Sequence, residues 1–214
     1  DQALANQQLP PEFAWPTHDL QPPPDVPVEE MAKHIPAECF YIRLGKFSNY
    51  LWFDQLQEDY GGDLSTMVSL RAYEYQMSER GEKQLGLEKT VLGDLFGEAV
   101  IADVALLGRD TFLEEGGAFG ILFQARNGLL ANDMKQQQKR AFEKFKDRGA
   151  KMEIVKIAGK DVSFLSTPDN RLRSFYAADG LFHLVTTSRA IVERFLEAGA
   201  GKGALADTAE FRFT

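Results

Sequence analysis

The sequence has few of the residues that build cross-linked or metal-bound folds. Its 214 residues include one cysteine, Cys39, and three histidines. A single cysteine cannot form a disulfide within the chain, which excludes a disulfide-stabilised scaffold. Because Cys39 opens an apolar run, we expect it to be a small buried hydrophobic residue. No two histidines have the spacing of metal ligands, so we predict no metal site.

Long hydrophobic runs are also missing. No apolar run approaches the roughly 18 residues that span a bilayer, which predicts no transmembrane segment in this chain. The sequence contains no signal peptide, and its first residue is Asp1 instead of Met. This start favours removal of a leader or trimming of the chain. We expect an exported protein, periplasmic or at the cell surface, with any anchor outside this chain and a cytoplasmic location as the open alternative.

Positive charge is scarce, with one local exception. The chain has 24 Lys and Arg against 32 Asp and Glu, a net charge of −8, which argues against a nucleic acid partner. Residues 135–156 nevertheless hold eight basic and three acidic residues. This basic segment either contacts an acidic partner or anionic surface, or is a solvated helix face. Its candidate contact residues are Lys135, Lys139, Arg140 and Lys144.

Motifs that carry chemistry are missing as well. The glycine-rich stretch 199–203 follows a helix and lacks the Ser or Thr of a phosphate-binding loop. The stretch 116–120 precedes a strand, whereas a dinucleotide-binding fingerprint follows one. There is no Gly-x-Ser-x-Gly elbow, and the acidic clusters lack the spacing of a calcium loop. We therefore predict no catalytic residue and no cofactor.

Proline is present in abundance, but almost only at the N-terminus. Eight of the nine prolines precede residue 37, which predicts an extended proline-rich arm over residues 1–27. The arm contains Phe13 and Trp15, which it cannot bury by itself. It is therefore expected to lie against its own domain or against another chain. In the second case Phe13 and Trp15 contact a protein partner or a second copy of the chain.

Residues 28–214 have the pattern of a single α+β domain. Short apolar runs separated by tight turns, such as Asp179-Gly180, predict an antiparallel sheet of about six to seven strands. The predicted strands are 38–44, 99–107, 118–125, 151–157, 161–166, 172–178 and 181–187. Helices are predicted at 28–34, 46–58, from 63 to about 80, 90–96, 128–148 and 188–199. Because most helices fall between groups of strands, we expect them to pack mainly on one face of the sheet.

Two features within this domain bear on partners and on length. On the helix 46–58, Trp52 is out of phase with Phe47 and Tyr50, so it is either exposed at an interface or part of a bulky core. Residues 207–210 resemble a capping box, which predicts a helix that begins four residues before the chain stops. Because so short a helix is unstable, we expect the native polypeptide to continue beyond residue 214.

Two segments together resemble a bacterial family of exported proteins of unknown function. The first is Ile35-Pro36-Ala37-Glu38-Cys39-Phe40-Tyr41-Ile42, which is similar to the opening of that family. The second runs from Asp179-Gly180-Leu181 through Thr187-Ser188 and on to Leu196, Gly199 and the residues from Leu205 to Phe211. The resemblance covers about residues 35–213. It implies a domain behind a signal or membrane anchor, and it implies no catalytic residues.

These features predict a non-enzymatic binding or scaffolding domain of a larger exported bacterial protein. The alternative is a hydrolase whose site is assembled from dispersed acidic residues and His183. A deep pocket with acidic side chains around His183 would favour the enzyme, whereas an exposed apolar patch around Trp52 would favour the binding domain.

Overall fold

The computed structural model of the protein describes residues 26–60, 85–87, 97–109 and 118–213. Most of the predicted arm, with Phe13 and Trp15, lies outside these residues. The helices predicted at 63 to about 80 and at 90–96 lie outside them too.

A seven-stranded antiparallel sheet organises the described residues, in the order β1-β2-β3-β7-β6-β5-β4. The strands are β1 Phe40–Gly45, β2 Ile101–Gly108, β3 Phe119–Ala125, β4 Lys151–Ile157, β5 Lys160–Ser166, β6 Arg173–Asp179 and β7 Phe182–Thr186. All seven predicted strands are confirmed, and no strand end shifts by more than two residues. The prediction of an α+β domain built on an antiparallel sheet is therefore confirmed.

Helices connect and flank these strands. The described α-helices are α1 Phe47–Tyr60, α2 Gly97–Val100, α3 Leu129–Phe145, α4 Arg189–Gly199 and α5 Ala209–Phe213. The described 3-10 helices are Glu30–His34, Lys146–Arg148 and Leu205–Asp207. Helix α4 begins where the sequence predicts, because the backbone N–H of Ile191 donates to the side chain of Ser188. Helix α5 begins in the same way, with the N–H of Phe211 donating to Thr208 Oγ1.

The sheet is covered on both faces, and each face has its own apolar core. On the first, called the α4 face, Leu184 of β7 packs with Phe195 of α4 and with the 3-10 helix Glu30–His34. On the second, called the α3 face, Val185 packs with residues of α1 and α3. The expectation that helices pack mainly on one face is therefore corrected.

The sequence contains the reason for this correction. The central strands have apolar side chains at consecutive positions, as in Ile121-Leu122-Phe123 and Leu184-Val185. Successive side chains of a strand point to opposite faces, so both sides of these strands must be shielded from water. Leu122 and Leu184 face α4, whereas Ile121, Phe123 and Val185 face α1 and α3.

Close packing between β3 and β7 generates a prediction. A Cβ atom placed on Gly120 would lie 2.8 Å from Thr186 Cβ and 2.8 Å from the carbonyl oxygen of Val185. We expect Gly120→Ala to lower the free energy of unfolding by about 1–3 kcal/mol, because the strands must separate to admit the methyl group. Urea unfolding followed by circular dichroism measures this loss.

Gly128 provides the matched control, because a Cβ atom there would have no heavy atom within 4 Å. Its φ of −73° suits any residue. Gly128→Ala is expected to change stability by less than about 1 kcal/mol. Equal unfolding midpoints for the two variants would contradict the packing of β3 against β7.

Candidate functional site

The outward sides of α1 and α3 carry the described residues that the sequence marks for partner binding. Both helices cover the α3 face, so their solvent-facing sides lie on the same side of the sheet. We call the exposed residues of these two helices the helical surface; it consists of Trp52, Lys135, Lys139, Arg140 and Lys144, which the sequence predicts, and of Leu56, which it does not. The structure thus brings together on one side of the molecule two groups of residues that are about 80 positions apart.

Trp52 is exposed because of its phase on α1. Phe47 and Tyr50 turn toward the core, where their ring centroids are 5.8 Å apart. Trp52 points away from them and is 63% exposed. One turn later, Leu56 is 38% exposed, and residues four apart lie on the same side of a helix. Of the two readings of Trp52, the structure supports the exposed one.

Lys135 and Lys139 lie on the side of α3 opposite its buried residues, whereas Arg140 and Lys144 follow buried Asp133 and Gln137 by seven positions and so are exposed at the border of the buried side. Leu130 and Met134 pack into the core, whereas Lys135, Lys139 and Arg140 are exposed. Within the described ranges, none of these three cations forms an ion pair. Arg140 is close enough to Asp133 to oppose the rise that burial causes in the pKa of that carboxyl. The outward side of α3 therefore presents positive charge on a protein whose net charge is negative.

The buried side of α3 has a polar stretch, Gln137 and Gln138, between the apolar residues Leu130 and Met134 on one side and Ala141 on the other. Gln137 is 1% exposed, and neither polar atom of its side chain forms a hydrogen bond within the part of the chain that the structure describes. The Oγ of Ser174 on β6 is likewise buried and unbonded among these residues. Buried polar groups usually have partners, so the unbonded atoms of Gln137 and Ser174 are exceptions among the described residues.

His183 lies in the core instead of in an open site. The sequence places it on the same face as Val185, and the structure agrees, with the imidazole 3% exposed on the α3 face. Its Nδ1 lies 2.9 Å from the hydroxyl oxygen of Tyr176. Burial lowers the pKa of His183 and raises that of Tyr176 to about 12, so both groups are neutral at pH 7. A hydrolase built on His183 stays an untested prediction.

A second group of polar side chains lies on the α4 face and was not predicted from the sequence. The ring of His34 stacks on Phe182 with their centroids 3.8 Å apart. Its Nδ1 lies 3.6 Å from Asp179 Oδ2, and Asp179 also accepts a hydrogen bond from Lys160. Burial lowers the pKa of His34, although the charge of Asp179 opposes this effect. A Cβ atom on Gly199 would clash with the Asp179 carboxylate and the His34 ring, so a larger residue here would displace these two side chains.

His34 also lines a cleft of about 410 Å³ between the 3-10 helix Glu30–His34, the end of α4 and α5. Two backbone hydrogen bonds hold its sides together, from the N–H of Ala37 to the Gly203 carbonyl and from the N–H of Leu205 to the Ile35 carbonyl. The cleft is lined by Val28, Lys33, His34, Ala198, Gly199, Gly201, Ala204, Ala206, Asp207 and Arg212. The glycines and alanines near residue 200 therefore form one wall of this cleft.

Comparison with protein-family models, with curated proteins and with solved structures finds no match for this chain. The resemblance of residues 35–213 to an exported family therefore stays a prediction. None of the helices in the described ranges has the length and apolar character needed to cross a membrane. Among the same residues, no three histidine, cysteine or acidic side chains are grouped so that they could hold a metal ion.

The buried histidines predict a dependence of stability on pH. A histidine whose pKa is lowered by folding binds its proton more readily in the unfolded chain, where the pKa is about 6.5. The stabilisation is therefore complete above about pH 6.5 and is lost as the pH falls below that value. We expect the free energy of unfolding to decrease from pH 7 to pH 5 in urea titrations.

His183→Gln tests the cause, because glutamine can bond to the Tyr176 hydroxyl but does not titrate. We expect the decrease to be smaller in this variant, with the remainder due to His34. A decrease of the same size in the variant and in the original protein would show that His183 does not contribute.

Proposed function

We propose that this chain is a non-enzymatic binding or scaffolding domain of a larger exported bacterial protein. The helical surface is its contact region for an acidic protein partner. The observation that carries the proposal is Trp52, which is 63% exposed on the same side of the sheet as the cations of α3.

Trp52 supplies the apolar part of such a contact. An indole side chain buries a large area when it enters a pocket, and tryptophan is among the residues most enriched at the centres of protein interfaces. Leu56 extends the apolar stripe by one turn of α1. An exposed pair of this kind is stabilised when a partner removes it from water.

The cations of α3 supply the electrostatic part. Lys135, Lys139 and Arg140 have no ion-pair partner among the described residues, so their charge is available to an acidic surface. Charges at the edge of an interface mainly raise the association rate and select the sign of the partner. This chemistry favours an acidic protein over a second copy bound through the same helices, because two basic surfaces repel each other.

Two parts of the proposal rest on the sequence alone. They are the exported location and the role of the proline-rich arm with Phe13 and Trp15 in binding a partner or a second copy. The alternative, a hydrolase that uses His183, gains no support from the described residues, because the imidazole is buried against Tyr176.

Affinity capture from the native source, with quantitative mass spectrometry, tests the helical surface. Two variants are compared with the unmodified chain: Trp52→Ala, and the double variant Lys135→Glu with Lys139→Glu. For each variant, we expect the recovery of an acidic protein that the unmodified chain retains to fall at least tenfold. Tenfold corresponds to about 1.4 kcal/mol, less than a typical interface hot spot contributes. Recovery from the unmodified chain should also fall as the salt concentration rises.

Phe213→Ala is the matched control, because Phe213 is an aromatic residue that is 56% exposed on α5, away from the helical surface. It should leave recovery unchanged, and all variants should unfold at the same denaturant concentration. The proposal fails if Trp52→Ala and Phe213→Ala retain the same proteins in the same amounts.

A further inference from the structure

The cleft on the α4 face has the size of a small-molecule site. Its volume of about 410 Å³ falls within the range of roughly 300–1,000 Å³ that is usual for ligand pockets. Small side chains leave this space open, among them Ala198, Ala204 and Ala206. The part of the ligand that lies against them must therefore be apolar and small.

Arg212 provides a cation at this cleft that has no ion-pair partner among the described residues. Its Nε is buried and has no hydrogen-bond acceptor among the described residues, and its guanidinium forms no ion pair with them. An Nε–H that loses water without gaining an acceptor is destabilising, whereas the two Nη groups of this half-buried side chain keep access to solvent and so to a ligand in the cleft. The planar donor pairs of arginine match the two oxygens of a carboxylate, so a carboxylate is the natural acceptor here.

Asp207 provides an anion in the same cleft. Its carboxylate neither accepts a hydrogen bond nor forms an ion pair within the described ranges, and it is not within 4 Å of a nitrogen of Arg212. The residue is exposed, so water solvates the carboxylate, and a ligand group with a positive charge and hydrogen-bond donors would take the place of that water.

The other charges at the cleft cancel. Lys33 forms an ion pair with Glu30, and His34 is held neutral by burial. Arg212 and Asp207 thus remain as separate charges of opposite sign, with no net charge between them. A phosphate would be repelled by Asp207, whereas a ligand that is itself a zwitterion complements both groups.

We infer that this cleft binds a small free amino acid. Its carboxylate accepts hydrogen bonds from Arg212, its ammonium group donates to Asp207, and its side chain lies against the alanines of the wall. The inference is independent of the proposed protein contact, because the helical surface lies on the opposite side of the sheet.

Isothermal titration calorimetry of the full chain with L-alanine and L-leucine tests this inference. Acetate and methylamine serve as half-ligands, each with only one of the two charges, and inorganic phosphate serves as a plain anion. We expect at least one of the amino acids to bind and both half-ligands to bind at least tenfold more weakly. The inference would be overturned if neither amino acid binds, or if phosphate or acetate binds more tightly than both amino acids.

Variants assign the binding to these residues. Arg212→Gln and Asp207→Asn should each weaken amino acid binding at least tenfold. Arg212→Lys keeps the charge but loses the paired donors, so it should also weaken binding. It provides the test if the Arg212→Gln protein does not fold. Arg171→Gln, at an arginine whose side chain is 77% exposed, and Trp52→Ala should leave binding unchanged. Unaltered binding in the Arg212→Lys or Asp207→Asn protein would contradict the assignment.

Discussion

The rest of the structure depends on shielding both faces of strands β3 and β7 from water. Leu122 and Leu184 are fully buried on the α4 face, and Phe123 and Val185 are buried on the α3 face. A strand with apolar side chains on both sides is stable only between two layers. This constraint fixes α4 with the 3-10 helix Glu30–His34 on one side, and α1 with α3 on the other.

Two separate surfaces follow from this three-layer arrangement. Helices that cover the α3 face have outward sides, and these present Trp52 together with the cations of α3. The elements that cover the α4 face leave the cleft with Arg212 and Asp207 between them. The sheet lies between the two surfaces, so a change of side chain on one leaves the other intact unless it unfolds the domain. The proposed protein contact and the inferred amino acid site therefore lie on opposite sides of the sheet.

Local features of the sequence were sufficient to predict most of the described elements. Turns such as Asp179-Gly180 place glycine at a positive φ of 61°, and Ser188 caps α4, so both signals act within a few residues. Helical phase was enough to separate Trp52 from Phe47. The basic character of residues 135–156 was visible as composition alone.

Features that depend on contacts between distant segments could not be predicted in the same way. The cleft requires the 3-10 helix Glu30–His34 to contact residues 198–212. The β-bridge between Pro36 and Ala204 joins these two segments, which lie near opposite ends of the domain's sequence. The packing of helices on both faces of the sheet could have been predicted from the consecutive apolar residues Leu184-Val185. It was missed because the order of helices along the chain does not reveal which face each one covers.

Hydrogen exchange of the backbone amides tests the two-sided cover most directly. If β3 and β7 are shielded on both faces, their amides should exchange only through global unfolding and with its full free energy. The outer amides of β4, at the open edge of the sheet, should exchange much faster. Exchange of β7 amides as fast as those of β4 would contradict the three-layer arrangement, and with it the separation of the two surfaces.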